Sequence, residues 1–258
     1  MVGRLVGTWS LLLALTAGNC LNASIIGTPK AEFQQTYALS PNGRVVIQNL
    51  YGDVRITAWD RDEVLVQAIQ KSRDPKQLED AQIVVDSSSG LCSIHTQYAG
   101  ADAEHPASVE YRIMVPRTAN LENVKLVNGG LSITGLEGSI KASSVNGSIR
   151  ADKLGGQVDL STVNGHLEAD FKRISRANSI SLSSVNGPIR LSIPSGASAQ
   201  LFAHNLSGGI DSDVGHVWRA SGGHRLRTTL NRGGAQIRVN NVNGGISIRS
   251  IWNHRVMS

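Results

Sequence analysis

Five glycines stand nine residues apart: Gly129, Gly138, Gly147, Gly156 and Gly165. An apolar residue follows each by two places, at Leu131, Ile140, Ile149, Val158 and Leu167. Another follows by four, at Ile133, Ala142, Ala151, Leu160 and Ala169, and a third precedes by two, at Val127, Leu136, Val145, Leu154 and Val163. A short unit repeated this strictly can bury its apolar face only against its own neighbours, so it specifies a stacked array. Within one unit, Ile149 and Ala151 alternate with Ser148, Arg150 and Asp152, the period of a half-buried strand. The glycine marks the corner, where a positive φ carries no steric cost for it.

A second period lies over the first. Asn128, Asn146 and Asn164 recur every 18 residues in Val-Asn-Gly, while the intervening corners are Leu136-Glu137-Gly138 and Leu154-Gly155-Gly156. Two unlike halves therefore make one rung, and identical corners imply stacking, asparagine above asparagine. The predicted fold class is all-β: a single elongated, flattened β-solenoid with 9-residue half-rungs, 18-residue rungs and two strands per rung. An antiparallel β meander is the alternative, because Asn-Gly is also the strongest short hairpin signal. The solenoid fits better, since stacking explains why equivalent positions keep their residue type.

An insertion at 171–176 interrupts the frame, which resumes at Ile180 and Leu182 and reaches Ser184-Val185-Asn186-Gly187-Pro188-Ile189. Pro188 lacks a backbone donor and belongs at a corner or edge. Residues 205–210 are a degraded copy, and Val242-Asn243-Gly244-Gly245-Ile246 carries the frame toward the C-terminus. Early in the chain, Gly43, Val45 and Ile47 step by nine onto Gly52, Val54 and Ile56. Looser strands are predicted at 63–69, 83–86, 91–96 and 109–115, and one helical turn at 74–81 with Pro75 near its start. The boundaries that follow are an export segment at 1–24, a linker at 25–37, one repeat domain at 38–251 and a tail at 252–258. Within the domain, irregular strands run to 120 and the regular array from 121. The irregular part would cap the array, whose open end otherwise exposes unpaired strand edges.

The 258 residues hold 27 Gly against 3 Phe, 4 Tyr and 4 Trp, which suits a narrow aliphatic core and leaves little room for a large cofactor; none is predicted. Arg4 ahead of the apolar stretch 9–17 reads as an export signal too short to span a bilayer. It points to the periplasm, the cell surface or secretion. Cys20 offers a lipid-attachment point, although Asn19 before it is larger than the residue usual there; membrane association is expected only through that anchor. Cys92 reads as a small buried apolar side chain.

The net charge of +5 is not in one block. Lys172, Arg173 and Arg176 sit in the first insertion, and Trp218, Arg219, Arg225 and Arg227 in a second. Loops that interrupt a repeat tend to project and to carry binding. These seven are the candidate ligand-binding residues, for anionic glycans, envelope polymers or lipid headgroups, with ordinary solvated loops as the plain alternative. Nucleic acid is not expected, given the export signal and the lack of a recognisable nucleic-acid fold.

Tests for chemistry return little. His95, His105, His166, His204, His216, His224 and His254 show no metal-ligand spacing with one another or with a cysteine, so no metal is predicted. Asp211 and Asp213 share one outward strand face; paired carboxylates serve acid/base or glycosidase chemistry, but solvated strand residues are the better reading. The glycine corners lead into strands, not helix N-termini, which excludes phosphate-cradling loops. No catalytic residue is assigned. The corner residues Asn128, Gly129, Asn146, Gly147, Asn164, Gly165, Asn186, Gly187, Asn243 and Gly244 read as scaffold, since asparagine suits turns and stacked asparagines form hydrogen-bonded ladders.

The run Asn49-Leu50-Tyr51-Gly52-Asp53-Val54-Arg55-Ile56, then Thr57-Ala58-Trp59-Asp60 and Glu63-Val64-Leu65-Val66, resembles the opening of the bacterial DUF4097 β-strand-repeat family. The strand Tyr111-Arg112-Ile113-Met114-Val115-Pro116 and the serial Ser/Thr-Val-Asn-Gly corners are similar too, so the resemblance covers residues 38–250. It implies a β-solenoid-like domain at the bacterial envelope or outside it, of a kind called adhesins on architectural grounds, and carries over no catalytic residue. The predicted function is a non-enzymatic, exported β-solenoid acting in adhesion or envelope scaffolding through outward strand faces and basic loops. One alternative is an envelope-sensing partner of a membrane signalling protein. Another is a polysaccharide-active enzyme, which would need acids clustered on one face across adjacent rungs.

Overall fold

The computed structural model describes residues 30–99, 106–214, 217–220 and 223–251. The expected export segment 1–24, Cys20, the tail 252–258, His105, His216 and His254 lie outside the described residues. The chain opens with β1 (Lys30–Ala38), β2 (Arg44–Tyr51), β3 (Val54–Trp59) and β4 (Glu63–Lys71). One helical turn, α1 (Pro75–Asp80), follows; the Asp74 carboxylate accepts from the Lys76 amide at its start, the usual way to satisfy an orphan donor. Then come β5 (Ala81–Ser88), β6 (Leu91–Tyr98), β7 (Ser108–Pro116), β8 (Asn120–Asn128), β9 (Leu131–Thr134), β10 (Ile140–Asn146) and β11 (Ile149–Leu154). The remainder is β12 (Val158–Asn164), β13 (Leu167–Phe171), β14 (Ser179–Asn186), β15 (Ile189–Pro194), β16 (Ala199–Ser207), β17 (Ile210–Ser212), β18 (Val217–Ala220), β19 (Gly223–Leu230), β20 (Ala235–Asn243) and β21 (Ile246–Ile251).

These strands form two large sheets, and neither closes into a barrel. The first runs β1-β4-β7-β3-β9-β11-β13-β15-β21-β17, and the second β18-β19-β16-β20-β14-β12-β10-β8-β2-β6-β5. The repeat strands alternate between the sheets and pair parallel within each, as in Ile140↔Val158 and Ile149↔Leu167. Parallel pairing rules out the antiparallel meander. One mainly aliphatic core lies between the sheets and includes Ile149, Leu154, Leu160 and Leu182, with Tyr111 and Phe171 as its large aromatic members.

Stacking order is not chain order. Among the described residues, the two-strand units stack as β6–β7, β2–β3, β8–β9, β10–β11, β12–β13, β14–β15, β20–β21, β16–β17. The early unit β2–β3 and the late unit β20–β21 are each inserted one place in from an end. Antiparallel strands finish the stack: β4 and β1 on β7, β5 on β6, β19 and β18 on β16. Covering strand edges in this way removes templates for further pairing.

Several expectations change. The step between stacked corners is 18 residues for Asn128, Asn146 and Asn164, but 22 to Asn186 and 57 to Asn243, because insertions and the late unit intervene. Residues 30–38, read partly as linker, form β1, paired to β4 from Lys30↔Lys71 to Ala38↔Glu63. Phe171, assigned to the first insertion, ends β13 as a fully buried side chain. The second insertion is the hairpin β18–β19, not a loop.

Candidate functional site

The corners at 144–147, 162–165, 184–187 and 241–244 share one local code: an inward polar residue, an outward apolar one, a stacked asparagine and a glycine. Inward, the Ser144 hydroxyl donates to the Gly129 carbonyl at 3.2 Å, Thr162 to Gly147 at 3.0 Å, and the Asn241 amide to Gly187 at 3.0 Å. Each bond satisfies a carbonyl of the neighbouring unit that lies away from bulk water. Asn146 Nδ2 donates to Asn128 Oδ1 at 3.0 Å, Asn164 to Asn146 at 2.8 Å, Asn186 to Asn164 at 3.0 Å and Asn243 to Asn186 at 3.0 Å. Stacking requires glycine at these corners whatever the dihedral angle, which is positive at Gly187 and Gly244. A Cβ on Gly147 would overlap the carbonyl oxygen of Gly129, and one on Gly156 that of Gly138, yet neither glycine has a positive φ.

The same alternation fixes what faces outward. In β10, Ile140, Ala142 and Ser144 are buried, while Lys141 and Val145 are exposed and Ser143 is partly so. Repeated across the second sheet, this produces an apolar column on its outer surface: Leu50, Val145, Val163, Val185, Val242 and Leu206, each between 37% and 53% exposed. Half-buried Val127 fills the position between Leu50 and Val145. Beside it runs a polar row in direct register, Ser143↔Ser161↔Ser183↔Asn240↔His204. From Val145 to Leu206 the column and the polar row together line a groove of about 570 Å³. Most monomeric surfaces scatter their exposed apolar residues singly, so an ordered column makes this face the candidate interaction surface.

The groove runs into a basic cleft. Arg225 on β19 pairs with His204, and Arg227 with Phe202 on β16. The Arg227 guanidinium lies 4.8 Å from the centre of the Phe202 ring, a cation–π arrangement. Arg238 on β20 is in register with Phe202 from the other side. These groups, with His204 and Asn240, line a cleft of about 390 Å³, and His204 and Asn240 also line the apolar groove.

The seven residues singled out from the sequence separate accordingly. Arg225 and Arg227 meet in the cleft, joined by Arg238, which the sequence reading passed over; its signal was a place in register with two basic strand residues, visible only once β20 is known to lie beside β16. Trp218 and Arg219 are on β18. Arg173 turns the other way and binds Glu137 at 2.7 Å, Arg176 packs against Gly234, and the Lys172 amide donates to the Leu154 carbonyl. The outward valines were read only as part of the apolar repeat.

The first sheet presents a different surface. Its outer row reads Arg112↔Arg55↔Ser132↔Arg150↔Glu168↔Arg190↔Ser247↔Asp211. Arg150 Nε binds Glu168 at 3.0 Å, and Arg249 pairs with Asp211, whose carboxyl the Arg249 hydrogen bond holds below the ordinary range. Asp213 accepts from the Ser250 amide. Asp152 and Asp170, 18 residues apart, were not singled out from the sequence; burial pushes both carboxyls up, and for Asp170 the charge of Asp152 adds to this. Cys92 is buried, and burial pushes its thiol up to about 12. Among the described residues, no three His, Cys, Asp or Glu side chains are grouped to hold a metal ion.

Comparison with known proteins places the chain by family. No curated protein matches the sequence. Distant likeness extends to a candidate cell adhesion protein of Clostridium sporogenes ATCC 15579, at 10% identity and TM-score 0.47, covering 86% of this chain and 100% of that one. A candidate adhesin of Bacteroides fragilis NCTC 9343 has 10% identity and TM-score 0.37, covering 86% and 99%. One from Parabacteroides distasonis ATCC 8503 has 12% identity and TM-score 0.30, covering 86% and 98%. The family model Toastrack DUF4097 matches residues 25–249, and the chain belongs to that family.

Proposed function

We propose that this chain is a non-enzymatic contact module of the cell envelope, acting in adhesion or envelope scaffolding through the outer face of its second sheet. The observation that carries this reading is the exposed apolar column from Leu50 to Leu206, held in register by stacked corners. Exposing such a column costs solvation at every unit, and a covering partner recovers it. The basic cleft at one end adds attraction for anionic envelope components, glycans and surface polymers included, and steers their approach. The Arg4 and 9–17 pattern of the N-terminal segment supports export.

The test is binding of the purified protein to isolated envelope fractions. Replacing Val145, Val163 and Val185 together by Thr keeps the β-branched shape that strands favour and makes the column polar. This variant is expected to bind about tenfold more weakly, a change of one decade in Kd. Arg150→Ala with Glu168→Ala on the opposite face is expected to bind as the parent does. Unchanged binding by the valine variant would refute the reading.

A further inference from the structure

The apolar column and the basic cleft form one continuous surface with two chemistries. Leu206, at the cleft end of the column, is on the same strand as His204 and Phe202, and all three face outward, with Ala203 and Asn205 buried between them. From Val145 to Leu206 the column crosses β10, β12, β14, β20 and β16, about 19 Å at the usual strand spacing. An acyl chain spans roughly 15 Å in half of a bilayer core, so one chain laid across these strands is covered along its length.

The cleft supplies charge of one sign. Arg225, Arg227 and Arg238 take part in none of the ion pairs found among the described residues. The row that contains Arg238 and Arg227 runs Lys141↔Asp159↔Ser181↔Arg238↔Phe202↔Arg227. Its carboxylate, Asp159, is two strands from Arg238 and is paired in register with Lys141. Among the described residues no carboxylate lines the cleft; three guanidiniums so gathered repel one another, and an anion between them relieves that repulsion. Guanidinium also matches phosphate and carboxylate geometry better than ammonium does. The serine row and Asn240 provide hydrogen-bonding groups along the edge of the groove.

From this complementarity we infer that the face binds a single anionic acyl lipid, its chain across Val145, Val163, Val185, Val242 and Leu206 and its acidic headgroup among Arg225, Arg227 and Arg238. The assignment rests on the contact reading above and narrows it to one ligand class. A long apolar run alone would accept any acyl chain; the arginines select the charged headgroup.

Calorimetric titration of the purified protein tests this with lysophosphatidylglycerol below its micelle concentration. The comparison ligands are lysophosphatidylcholine of the same chain length and glycerol phosphate, which has the headgroup without the chain. Saturable one-to-one binding of lysophosphatidylglycerol is expected, about tenfold tighter than that of lysophosphatidylcholine, with no measurable binding of glycerol phosphate. Replacing the three arginines by Ala, or Val145, Val163 and Val185 by Thr, is expected to weaken it about tenfold, with unchanged circular dichroism showing that the fold persists. Equal affinity for both lysolipids, binding of glycerol phosphate as tight as that of the lipid, or binding only to anionic vesicles and never to monomers would overturn the assignment. If lysophosphatidylglycerol fails while envelope binding still depends on the valines, the ligand class is wrong and the contact reading stands. If the valine variant leaves envelope binding intact, both fall.

Discussion

Each residue of the corner tetrad has one task, and the tasks separate experimentally. In Ser144-Val145-Asn146-Gly147 the serine caps a carbonyl, the valine faces solvent, the asparagine joins its ladder and the glycine lets two backbones approach. Gly147→Ala drives a Cβ into the Gly129 carbonyl and is expected to cost about 1–3 kcal/mol, the range for overpacking. Gly245, with nothing within 4 Å of an added Cβ, is the control; Gly245→Ala is expected to stay within about 0.5 kcal/mol. Ile149→Ala truncates a buried side chain and should cost about 2–5 kcal/mol. Asn146→Ala breaks two exposed ladder bonds and should cost about 1 kcal/mol. Denaturant melts of the four variants rank these effects. If Gly147→Ala proved as harmless as Gly245→Ala, close approach would not be why glycine recurs.

At the scale of elements, the intercalated unit β20–β21 sets the behaviour of the C-terminal end. β20 lies between β14 and β16, and β21 between β15 and β17. In a stack built in chain order, removing the last two strands would shorten the array by one unit. Here it takes from β16 and β17 the neighbours that join them to the rest. Truncation after residue 234 is therefore expected to abolish amide protection in β16, β17 and β19, while β8 to β13 keep theirs. Retained protection in β16 would show that it pairs directly with β14 and would contradict the topology. The repeat itself was legible because parallel stacking forces one residue type on each column, as with Val145, Val163 and Val185. The order was not legible: Val-Asn-Gly at 242–244 is equally compatible with a final unit and an inserted one. A nine-residue step also does not record which of two alternating apolar positions faces out. An irregularity at Lys153, whose φ is 57°, shifts the alternation within β11, so Leu154 is buried while Val145 is exposed.

The whole molecule is a two-faced slab. Its first sheet shows arginine and carboxylate side chains that pair across strands, as Arg150 does with Glu168, and such exposed pairs contribute little to stability. Its second sheet shows valine and serine columns that end in three arginines. Of the candidate residues that the sequence placed on loops, Arg225 and Arg227 belong to a strand at the cleft, and Arg238 joins them only through the fold. The proposed function puts contact on the second sheet's face, and hydroxyl-radical footprinting with and without envelope material reads both faces in one experiment. The account predicts that bound protein loses labelling at Leu50, Val145, Val163, Val185 and Leu206, while Arg55, Arg112 and Arg190 on the opposite sheet label as in the free protein. Protection centred on the arginine row of the first sheet, with the valine column still labelled, would contradict it.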